Sequence, residues 1–545
     1  MLSKKVFATS AAAVAAIFSI ADVCVSGRRR IKTKCEMTDE ADSSKRPHYD
    51  CIVIGSGVSG LSAAHSLIHT HAIDPSKVLV LEAQDYVGGR LQQNSDFIKG
   101  VYVELGGEFL HGSNTPLTKF AVSRGEPITQ TFVWAPGDGG PLSKPVNGGY
   151  GLYYFKHRGL LRFDSQNPEF VRMNKTLWTL SDLDLQKFSD DVSLRDYLEE
   201  LKFSSEMVEY AEAGFANTLC ANADDLSLRQ CIIWSQLWRE EEKASEELGY
   251  GEGDFVFENS YKVLLNYLSE NVHIQLNTPV TSVKYPIIEN LSHQEDTVTL
   301  TSAEGVKYIS KSVIITSSPQ VLRGGLMEFS PPLHKGITDA LNCTNMHSAV
   351  KVLLKFKEPV WPSDLHGMIC SGEDVVIPEL WFWDVSKKAD SSESCKAYAV
   401  GFCTAAFADK LLKLSDNEVV NKAMGQLEAM FNLLEPQHMV ADWENIGPIS
   451  RSVNASELPI PRDAFLGGMV VKWDPESRPW VGGGYCSPKA KAPAWKIQLL
   501  EKPLGKRVYF AGEATITPGT CVHAAMESGV RAARGAAQFL KDCKK

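Results

Sequence analysis

The segment from Asp50 to Arg90 constrains the fold of this chain more than any other part of the sequence. A short apolar run leads into three glycines at G-x-G-x-x-G spacing, and an Ala-rich helical pattern and a second apolar run follow. Strand, glycine turn, helix and strand in this order are typical of the unit that binds a dinucleotide pyrophosphate. The sequence therefore predicts a dinucleotide site near its start.

Each glycine of this turn has its own task. Gly55 permits the tight turn, Gly57 lets a pyrophosphate approach the backbone, and Gly60 lets the helix pack closely on the strand. The second apolar run, VLVLE, ends on Glu82, where a carboxylate can accept hydrogen bonds from an adenosine ribose. Nothing in the segment says which dinucleotide is bound or what reaction it serves.

The composition indicates a globular protein with more than one domain. The chain has 545 residues, which exceeds the size at which a single hydrophobic core usually keeps growing. Its formal net charge of -10 argues against nucleic acid as a partner and is compatible with a cationic substrate. The twelve cysteines include no C-x-x-C pair and no close cluster with histidine, so neither a metal site nor a dense disulfide scaffold is indicated.

The amino terminus differs in kind from the rest of the chain. Two lysines precede an Ala-rich apolar run at 6–25, and three arginines follow it. This order predicts a secretory signal peptide or a signal anchor over residues 1–30, and the polar stretch 31–47 predicts a disordered linker. A mitochondrial presequence is the rival interpretation, because Asp22 is the sole acidic residue in the first 30.

We therefore expect a protein of the secretory pathway or the extracellular space, with a membrane contact only through this N-terminal segment. A mitochondrial or cytoplasmic location is the alternative. Sequons for N-glycosylation are compatible with the secretory route. They stand at Asn174, Asn290, Asn342 and Asn454.

Farther along the chain, apolar periodicity predicts further elements. The stretch 177–238 is helical in pattern, 296–319 predicts a β-hairpin, 348–356 predicts a strand, and 416–434 predicts an amphipathic helix. The last part, 507–540, predicts a strand, a glycine-rich turn and a helix of small residues. The chain thus begins and ends with segments of cofactor-binding character.

Three motifs together resemble the flavin-dependent amine oxidases. They are E-A-x-D-x-x-G-G-R at Glu82 to Arg90, E-L-G-G-E-F-L-H-G at Glu104 to Gly112, and F-A-G-E-A-T followed by H-A-A-M-E-S-G-x-R-A-A between Phe510 and Ala533. The H-G form looks like the polyamine and spermine oxidase branch. The resemblance covers nearly everything from about residue 48 to residue 540.

This resemblance implies an α/β fold with two interleaved parts. An FAD-binding, Rossmann-like domain of the GR2 type would be discontinuous and comprise residues 48–117, 250–322 and 488–545. An α+β substrate-binding domain of the amine oxidase type would comprise residues 118–249 and 323–487.

The family pattern also implies which residues bind FAD. They are Gly55, Gly57, Ser59, Gly60, Glu82, Arg90, Gly106, Gly107, Val280, Glu513 and His523. Animal monoamine oxidases attach FAD through a Cys one residue before the Tyr of a G-x-Y stretch, where this chain has Gly484 before Tyr485. We therefore predict noncovalent FAD.

Two residues match the catalytic positions of the family. Lys351 in A-V-K-V-L-L-K-F resembles the lysine that reaches the flavin N5 through one water, although a strand lysine more often faces solvent. His111 resembles the histidine that faces the substrate amine, and its alternative is a structural role in a glycine-rich turn. Four further residues are candidates for substrate binding. Glu212 and Glu108 are candidate carboxylates that recruit the amine, and Trp480 and Tyr485 would form an aromatic wall together with Trp473.

These matches imply an oxidase of polyamines (spermine, spermidine or acetylated forms). It would use O2 and release an aldehyde, a shorter amine and hydrogen peroxide. An oxidase of another amine or of an amino acid remains an alternative, although no arginine stands out as a carboxylate clamp. A catalytically silent flavin-fold binding module is the second alternative, which the presence of Lys351 and His111 disfavours. Cys521 falls where monoamine oxidases have their second cage aromatic, and this absence favours polyamines. Substrate identity stays open because the sequence Thr520-Cys521-Val522-His523 carries an extra residue that alters the wall next to the flavin. The sequence does not predict the oligomeric state.

Overall fold

The computed structural model of the protein describes residues 48–131, 150–155, 159–161, 167–247, 254–286, 297–361, 365–390, 392–431, 461–516 and 521–543. The predicted signal segment and linker lie outside these ranges, as do Asn290 and Asn454. Within these ranges no helix combines the length and the apolar character that crossing a bilayer requires.

The strands fall into two large sheets and three small ones. In chain order they are β1 (His48–Ile54), β2 (Val78–Leu81), β3 (Gln93–Ile98), β4 (Val101–Glu104), β5 (Leu110–His111), β6 (Ile128–Gln130), β7 (Tyr150–Phe155), β8 (Gly159–Leu161), β9 (Asp254–Phe257), β10 (His273–Gln275), β11 (Val280–Lys284), β12 (Val298–Ser302), β13 (Lys307–Ile315), β14 (Glu328–Ser330), β15 (Thr344–Met346), β16 (Ala349–Phe356), β17 (Leu365–Ser371), β18 (Glu379–Asp384), β19 (Ala397–Thr404), β20 (Phe465–Trp473), β21 (Cys486–Pro488) and β22 (Val508–Phe510).

The α-helices pack on these sheets or on one another. They are α1 (Val58–His65), α2 (Pro116–Arg124), α3 (Pro168–Trp178), α4 (Leu194–Glu200), α5 (Ser205–Ala211), α6 (Leu228–Glu247), α7 (Lys262–Leu268), α8 (Pro319–Arg323), α9 (Lys335–Leu341), α10 (Ala405–Leu412), α11 (Asp416–Phe431), α12 (Pro461–Ala464) and α13 (Val522–Asp542).

The first large sheet carries the glycine turn. Its order is β10-β2-β1-β13-β12-β11-β14, with β22 also paired to β13, and β1 is parallel to both of its neighbours. Successive residues of β1 alternate between two cores: Cys51 and Val53 pack in one, and Ile52 and Ile54 in the other. Both faces of the sheet are therefore covered at β1, as expected of a strand with parallel neighbours.

The register of this sheet brings distant parts of the chain to one edge. Ile54 lies opposite Ile315, and Ile315 lies opposite Phe510, so β1, β13 and β22 end side by side. Ligands of such sheets bind beyond the carboxyl ends of the strands. The glycine turn after β1 and the G-E-A-T sequence after β22 therefore meet at the same place.

The second large sheet has the order β20-β16-β19-β18-β17-β7-β8. On β16, Val350 and Val352 point into a core that α10 and α11 cover, whereas Ala349 and Leu353 belong to a different core on the other face. Because side chains alternate along a strand, Lys351 lies on this second face.

Most predicted elements are confirmed. The hairpin is β12 with β13, the strand at 348–356 is β16, and the amphipathic helix is α11 over Asp416–Phe431. The helical stretch 177–238 is broken into separate helices, because a capping box of Ser193 and Asp196 starts α4. The predicted domain boundaries stay a prediction; β14, which lies beyond residue 322, pairs in the first sheet.

One sequon is incompatible with glycosylation of the folded protein. Asn174 is fully buried, donates to the Phe170 carbonyl at 3.0 Å and accepts from the Tyr210 hydroxyl at 2.7 Å. Asn342 is exposed.

Candidate active site

The glycine turn contains open space at one position. A Cβ on Gly60 would lie 1.9 Å from the Gly55 carbonyl oxygen, and one on Gly55 would lie 2.5 Å from Thr316 Oγ1. A Cβ on Gly57 would meet nothing within 4 Å. The protein itself therefore requires Gly55 and Gly60, whereas the space beside Gly57 fits a pyrophosphate at the N-terminus of α1.

Two further predicted cofactor residues are fixed around this turn. Both Glu82 oxygens are engaged: one accepts from the Ser56 amide at 2.6 Å, and the other accepts from the Gln84 amide at 2.9 Å. The Ser59 hydroxyl lies 3.1 Å from that of Ser528 and joins α1 to α13, which leaves the Ser59 backbone amide for a phosphate.

Val280 is predicted to meet the adenine through its backbone. It opens β11 and is buried, and the preceding turn is tied to Glu82 because the Thr278 amide donates to the Glu82 carbonyl at 2.7 Å. The structure thus brings Val280 close to Glu82, the residue predicted to bind the ribose.

The two ends of the chain meet in an ion pair. Arg90 Nη1 lies 2.7 Å from Glu513 Oε1 and donates to the Gly484 carbonyl at 2.9 Å. The second oxygen of Glu513 is buried and has no hydrogen-bond partner in the described structure. A buried acceptor needs a donor, and a hydroxyl of the FAD ribityl chain would supply one.

His523 is a second buried group with an unused atom. Its Nε2 lies 3.2 Å from Cys521 Sγ, while its Nδ1 is buried without a partner in the described part of the chain. Burial, with a smaller contribution from His111, lowers the pKa of His523 to about 3. The imidazole is therefore neutral and fits an uncharged hydrogen-bonding role beside the cofactor.

Gly106 and Gly107 lie in a tight part of the site. A Cβ on Gly106 would stand 1.9 Å from the Arg90 carbonyl and 3.2 Å from the Trp473 ring, and one on Gly107 would stand 2.8 Å from a Leu91 methyl. Trp473 is buried and donates to the Leu105 carbonyl at 2.9 Å. Trp473 therefore packs in the hydrophobic core next to Gly106.

Lys351 is buried in an ion pair. Its Nζ lies 2.7 Å from Glu108 Oε2 and 3.2 Å from the Glu104 carbonyl oxygen, and the side chains of Lys351 and Glu108 are 3% and 6% exposed. Lys351 is thus not a solvent-facing strand lysine. Glu108 was predicted to recruit the amine, but the structure uses it as the partner of this lysine.

His111 is oriented by a residue that the sequence analysis missed. Its Nδ1 lies 3.0 Å from Asp254 Oδ1, across the pairing of β5 with β9. Burial opposes a charge on His111, but Asp254 and, more weakly, Glu379 outweigh it and raise the pKa of the imidazole. With Nδ1 held by Asp254, Nε2 is the atom available to a ligand.

Glu379 is the second missed residue. It is 4% exposed and accepts from Trp381 Nε1 at 2.9 Å and from Thr218 Oγ1 at 3.0 Å. Burial raises the pKa of this carboxyl to about 7. The Tyr485 hydroxyl donates to the Thr218 carbonyl, so the predicted aromatic wall and Glu379 meet at one residue. A glutamate at the start of the apolar strand E-L-W-F-W-D was the signal that could have marked it.

Glu212 and Trp480, the other two predicted substrate-binding residues, are less closely linked to Glu379 and Tyr485. Glu212 pairs with Arg195 at 3.1 Å and accepts from the Ala223 amide at 3.0 Å, so its charge is already compensated. Trp480 is partly buried, between Trp473 and Tyr485 in the chain.

Comparison with known proteins identifies the family of the chain. The family described as flavin containing amine oxidoreductase matches residues 58–537. The chain is 25% identical over 493 residues to lysine-specific histone demethylase 1B of Mus musculus, which covers 90% of this chain and 53% of the mouse protein. It therefore spans about half the length of that relative. It is 24% identical over 496 residues to polyamine oxidase 4 of Oryza sativa subsp. japonica, which covers 88% of this chain and 87% of the rice protein.

Solved structures share the fold. Cyclohexylamine oxidase from Brevibacterium oxydans matches with a TM-score of 0.66 at 20% identity, covering 91% of this chain and all of the enzyme. Putrescine oxidase bound to putrescine matches with a TM-score of 0.66 at 17% identity, covering 91% of this chain and 99% of that protein. The predicted α/β fold of the amine oxidase type is confirmed. The chain belongs to the flavin-containing amine oxidoreductases, a family whose cofactor is FAD.

Proposed function

We propose that this protein is an FAD-dependent oxidase of polyamines, such as spermine, spermidine or their acetylated forms. It would release an aldehyde, a shorter amine and hydrogen peroxide. The observation that carries the proposal is the grouping of Lys351, His111 and Glu379 around Trp381. The Trp381 ring lies 5.1 Å from Lys351 Nζ, and its indole donates to Glu379, which in turn interacts electrostatically with His111.

Bound FAD would accept a hydride equivalent from the carbon next to the amine nitrogen and pass the electrons to O2. The residues of the chain prepare the substrate for this reaction. An aliphatic amine has a pKa of about 10.4, like that of lysine, and must lose its proton before oxidation. A buried site favours the neutral amine, and Nε2 of His111 would exchange a hydrogen bond with it.

The relatives support an amine substrate and leave its size open. One is named a polyamine oxidase and another a lysine-specific histone demethylase, and the structural matches are named for putrescine and cyclohexylamine. Within the described residues, the carboxylates near Trp381 favour a cationic substrate. A polyamine carries several positive charges, which suits such a site.

The test is peroxide release from the FAD-loaded protein with spermine, spermidine, N-acetylspermine, a monoamine and an amino acid. We expect peroxide with at least one polyamine. Lys351→Met should retain FAD and lose most turnover. Lys355→Met is the matched control, because Lys355 lies on the same strand but donates to the Phe97 carbonyl at 2.8 Å.

Two outcomes would overturn the proposal. A protein that holds photoreducible FAD and oxidises nothing in the panel would be a silent binding module. Oxidation confined to the monoamine or the amino acid would move the assignment to another oxidase on the same fold.

A further inference from the structure

The ammonium group of Lys351 is held by the segment that carries the glycine pair. Its Nζ donates to the Glu104 carbonyl at 3.2 Å and lies 2.7 Å from Glu108 Oε2. Gly106 and Gly107 lie between these two residues in the chain, and the family pattern assigns both glycines to FAD. The charge of Lys351 is therefore fixed beside the backbone that the cofactor is expected to meet.

The second sheet also places Lys351 next to this part of the site. Ala349 and Lys351 are two residues apart on β16 and share one face of the sheet. A Cβ on Gly484 would lie 2.9 Å from the Ala349 Cβ, and the Gly484 carbonyl accepts from Arg90 at 2.9 Å. The Trp381 ring lies 5.1 Å from Lys351 Nζ on the same face. Protein groups therefore surround the ammonium, and water screens its charge little.

Glu108 compensates this charge. Its side chain is 6% exposed, and the carboxylate meets the ammonium directly. The other carboxyl of the segment faces elsewhere, because Glu104 accepts from the Tyr261 amide at 2.8 Å and from Gln93 Nε2 at 2.9 Å. Burial, with a smaller contribution from Glu108, raises the pKa of Glu104 to about 7. Glu108 is thus the residue that makes the charge of the lysine site zero.

The other basic residues assigned to the site are compensated or neutral as well. Arg90 Nη1 lies 2.7 Å from Glu513 Oε1. His111 Nδ1 lies 3.0 Å from Asp254 Oδ1. Burial lowers the pKa of His523 to about 3, so this imidazole is uncharged. Each assigned base that can be positive therefore has a carboxylate beside it.

We propose that Glu108 sets the reduction potential of bound FAD by compensating the charge of Lys351. Uptake of two electrons and one proton leaves one negative charge on the flavin. A lone cation nearby would stabilise that charge, whereas a neutral ion pair does so much less. Glu108 therefore keeps the potential low. It acts through Lys351 and is a positioning residue. The inference needs bound FAD but not the proposed amine oxidation.

The test is the two-electron potential of bound FAD, measured at neutral pH by equilibrium reduction with dithionite in the presence of a reference dye. In Glu108→Gln the charge of Lys351 is uncompensated. We expect the equilibrium constant for reduction to rise by at least about tenfold, which is about 30 mV for a two-electron couple. The double variant Glu108→Gln with Lys351→Met should return to within about threefold of the wild type, because neither pair carries a net charge.

Glu104→Gln is the matched control, because its side chain is a buried carboxyl of the same segment that does not contact Lys351. Glu428→Gln is the surface control, because Glu428 forms an exposed ion pair with Arg462. The potential should rise in neither control as it does in Glu108→Gln. An unchanged potential in Glu108→Gln, an equal rise in Glu104→Gln, or a rise that persists in the double variant would overturn the inference.

Lys351→Met carries the test if Glu108→Gln does not retain FAD. The uncompensated Glu108 should then lower the potential, and an equal or higher value would overturn the inference. The potential is read without an amine. A protein that oxidises no amine would therefore overturn the proposed function, while the potentials would still decide the role of Glu108.

Discussion

The Lys351–Glu108 pair shows how a residue predicted for catalysis depends on its neighbour. Both side chains are nearly inaccessible, and their charged atoms are 2.7 Å apart. A buried pair of this kind contributes little net stability, because desolvation offsets the attraction. The pair instead fixes the position of the Lys351 side chain on this face of the second sheet.

Removal of one partner should therefore cost more than removal of both. We expect Glu108→Gln to lower the free energy of unfolding by about 3 to 5 kcal/mol, because Lys351 stays buried without compensation. The double variant Glu108→Gln with Lys351→Met should recover much of that loss. Urea denaturation of the four proteins in this cycle measures the effect, and additive losses would contradict it.

A second prediction concerns Asp254 and the pH dependence of kcat/KM. Burial opposes the charged form of His111, but Asp254, with a smaller contribution from Glu379, raises the pKa of the imidazole above its usual value. Asp254→Asn removes the larger of these two contributions, so the pKa falls. If neutral His111 serves the reaction, the acidic limb of the kcat/KM profile moves to lower pH. The Glu428→Gln profile is the reference, and a limb that stays in place or moves to higher pH would refute this role.

Local spacing predicts some of these residues and not others. Gly55, Gly57 and Gly60 could be assigned from sequence because their roles follow from neighbours within one turn. Asp254 could not, because strand pairing joins it to His111 from 143 residues away along the chain.

At the scale of elements, the strand-turn-helix unit separates two kinds of glycine. A Cβ on Gly60 would collide with the Gly55 backbone, whereas Gly57 has φ of -64° and open space around it. Gly60 is thus required by the packing of α1, whereas the space beside Gly57 is where we expect the pyrophosphate. The position of each glycine in the motif predicted this division, and the packing agrees with it.

This difference predicts opposite phenotypes for two alanine variants. Gly60→Ala should fold poorly or melt well below the wild type even without FAD, because α1 must move away from β1. Gly57→Ala should leave the apoprotein within about 1 kcal/mol of the wild type, yet bind FAD at least about tenfold more weakly. Thermal melting of the apoproteins and FAD titration measure the two effects. Normal FAD affinity in Gly57→Ala would contradict the assignment.

At the scale of the whole molecule, the cofactor site is assembled from both ends of the chain. Arg90 and Glu513 are 423 residues apart in sequence and form one ion pair. The resemblance of both ends to one family predicted this meeting, and the shared edge of β1, β13 and β22 explains it. The fold was thus largely predictable, whereas the pairing of Glu108 with Lys351 depended on packing.

We predict that this site holds FAD without a covalent bond. A side chain at position 484 would bring its Cβ to 2.9 Å from the Ala349 Cβ and 3.1 Å from Cys220 Sγ, so a cysteine does not fit there. Acid precipitation should therefore leave the yellow colour in the supernatant. Free FAD should also stabilise the apoprotein, by about 2.7 kcal/mol at 100 times its Kd. Glu513→Gln should show a smaller gain at the same FAD concentration, because it weakens the contact with Arg90. A yellow pellet would contradict noncovalent binding. A melting temperature that does not change on addition of FAD would contradict a site in which FAD joins the two ends of the chain.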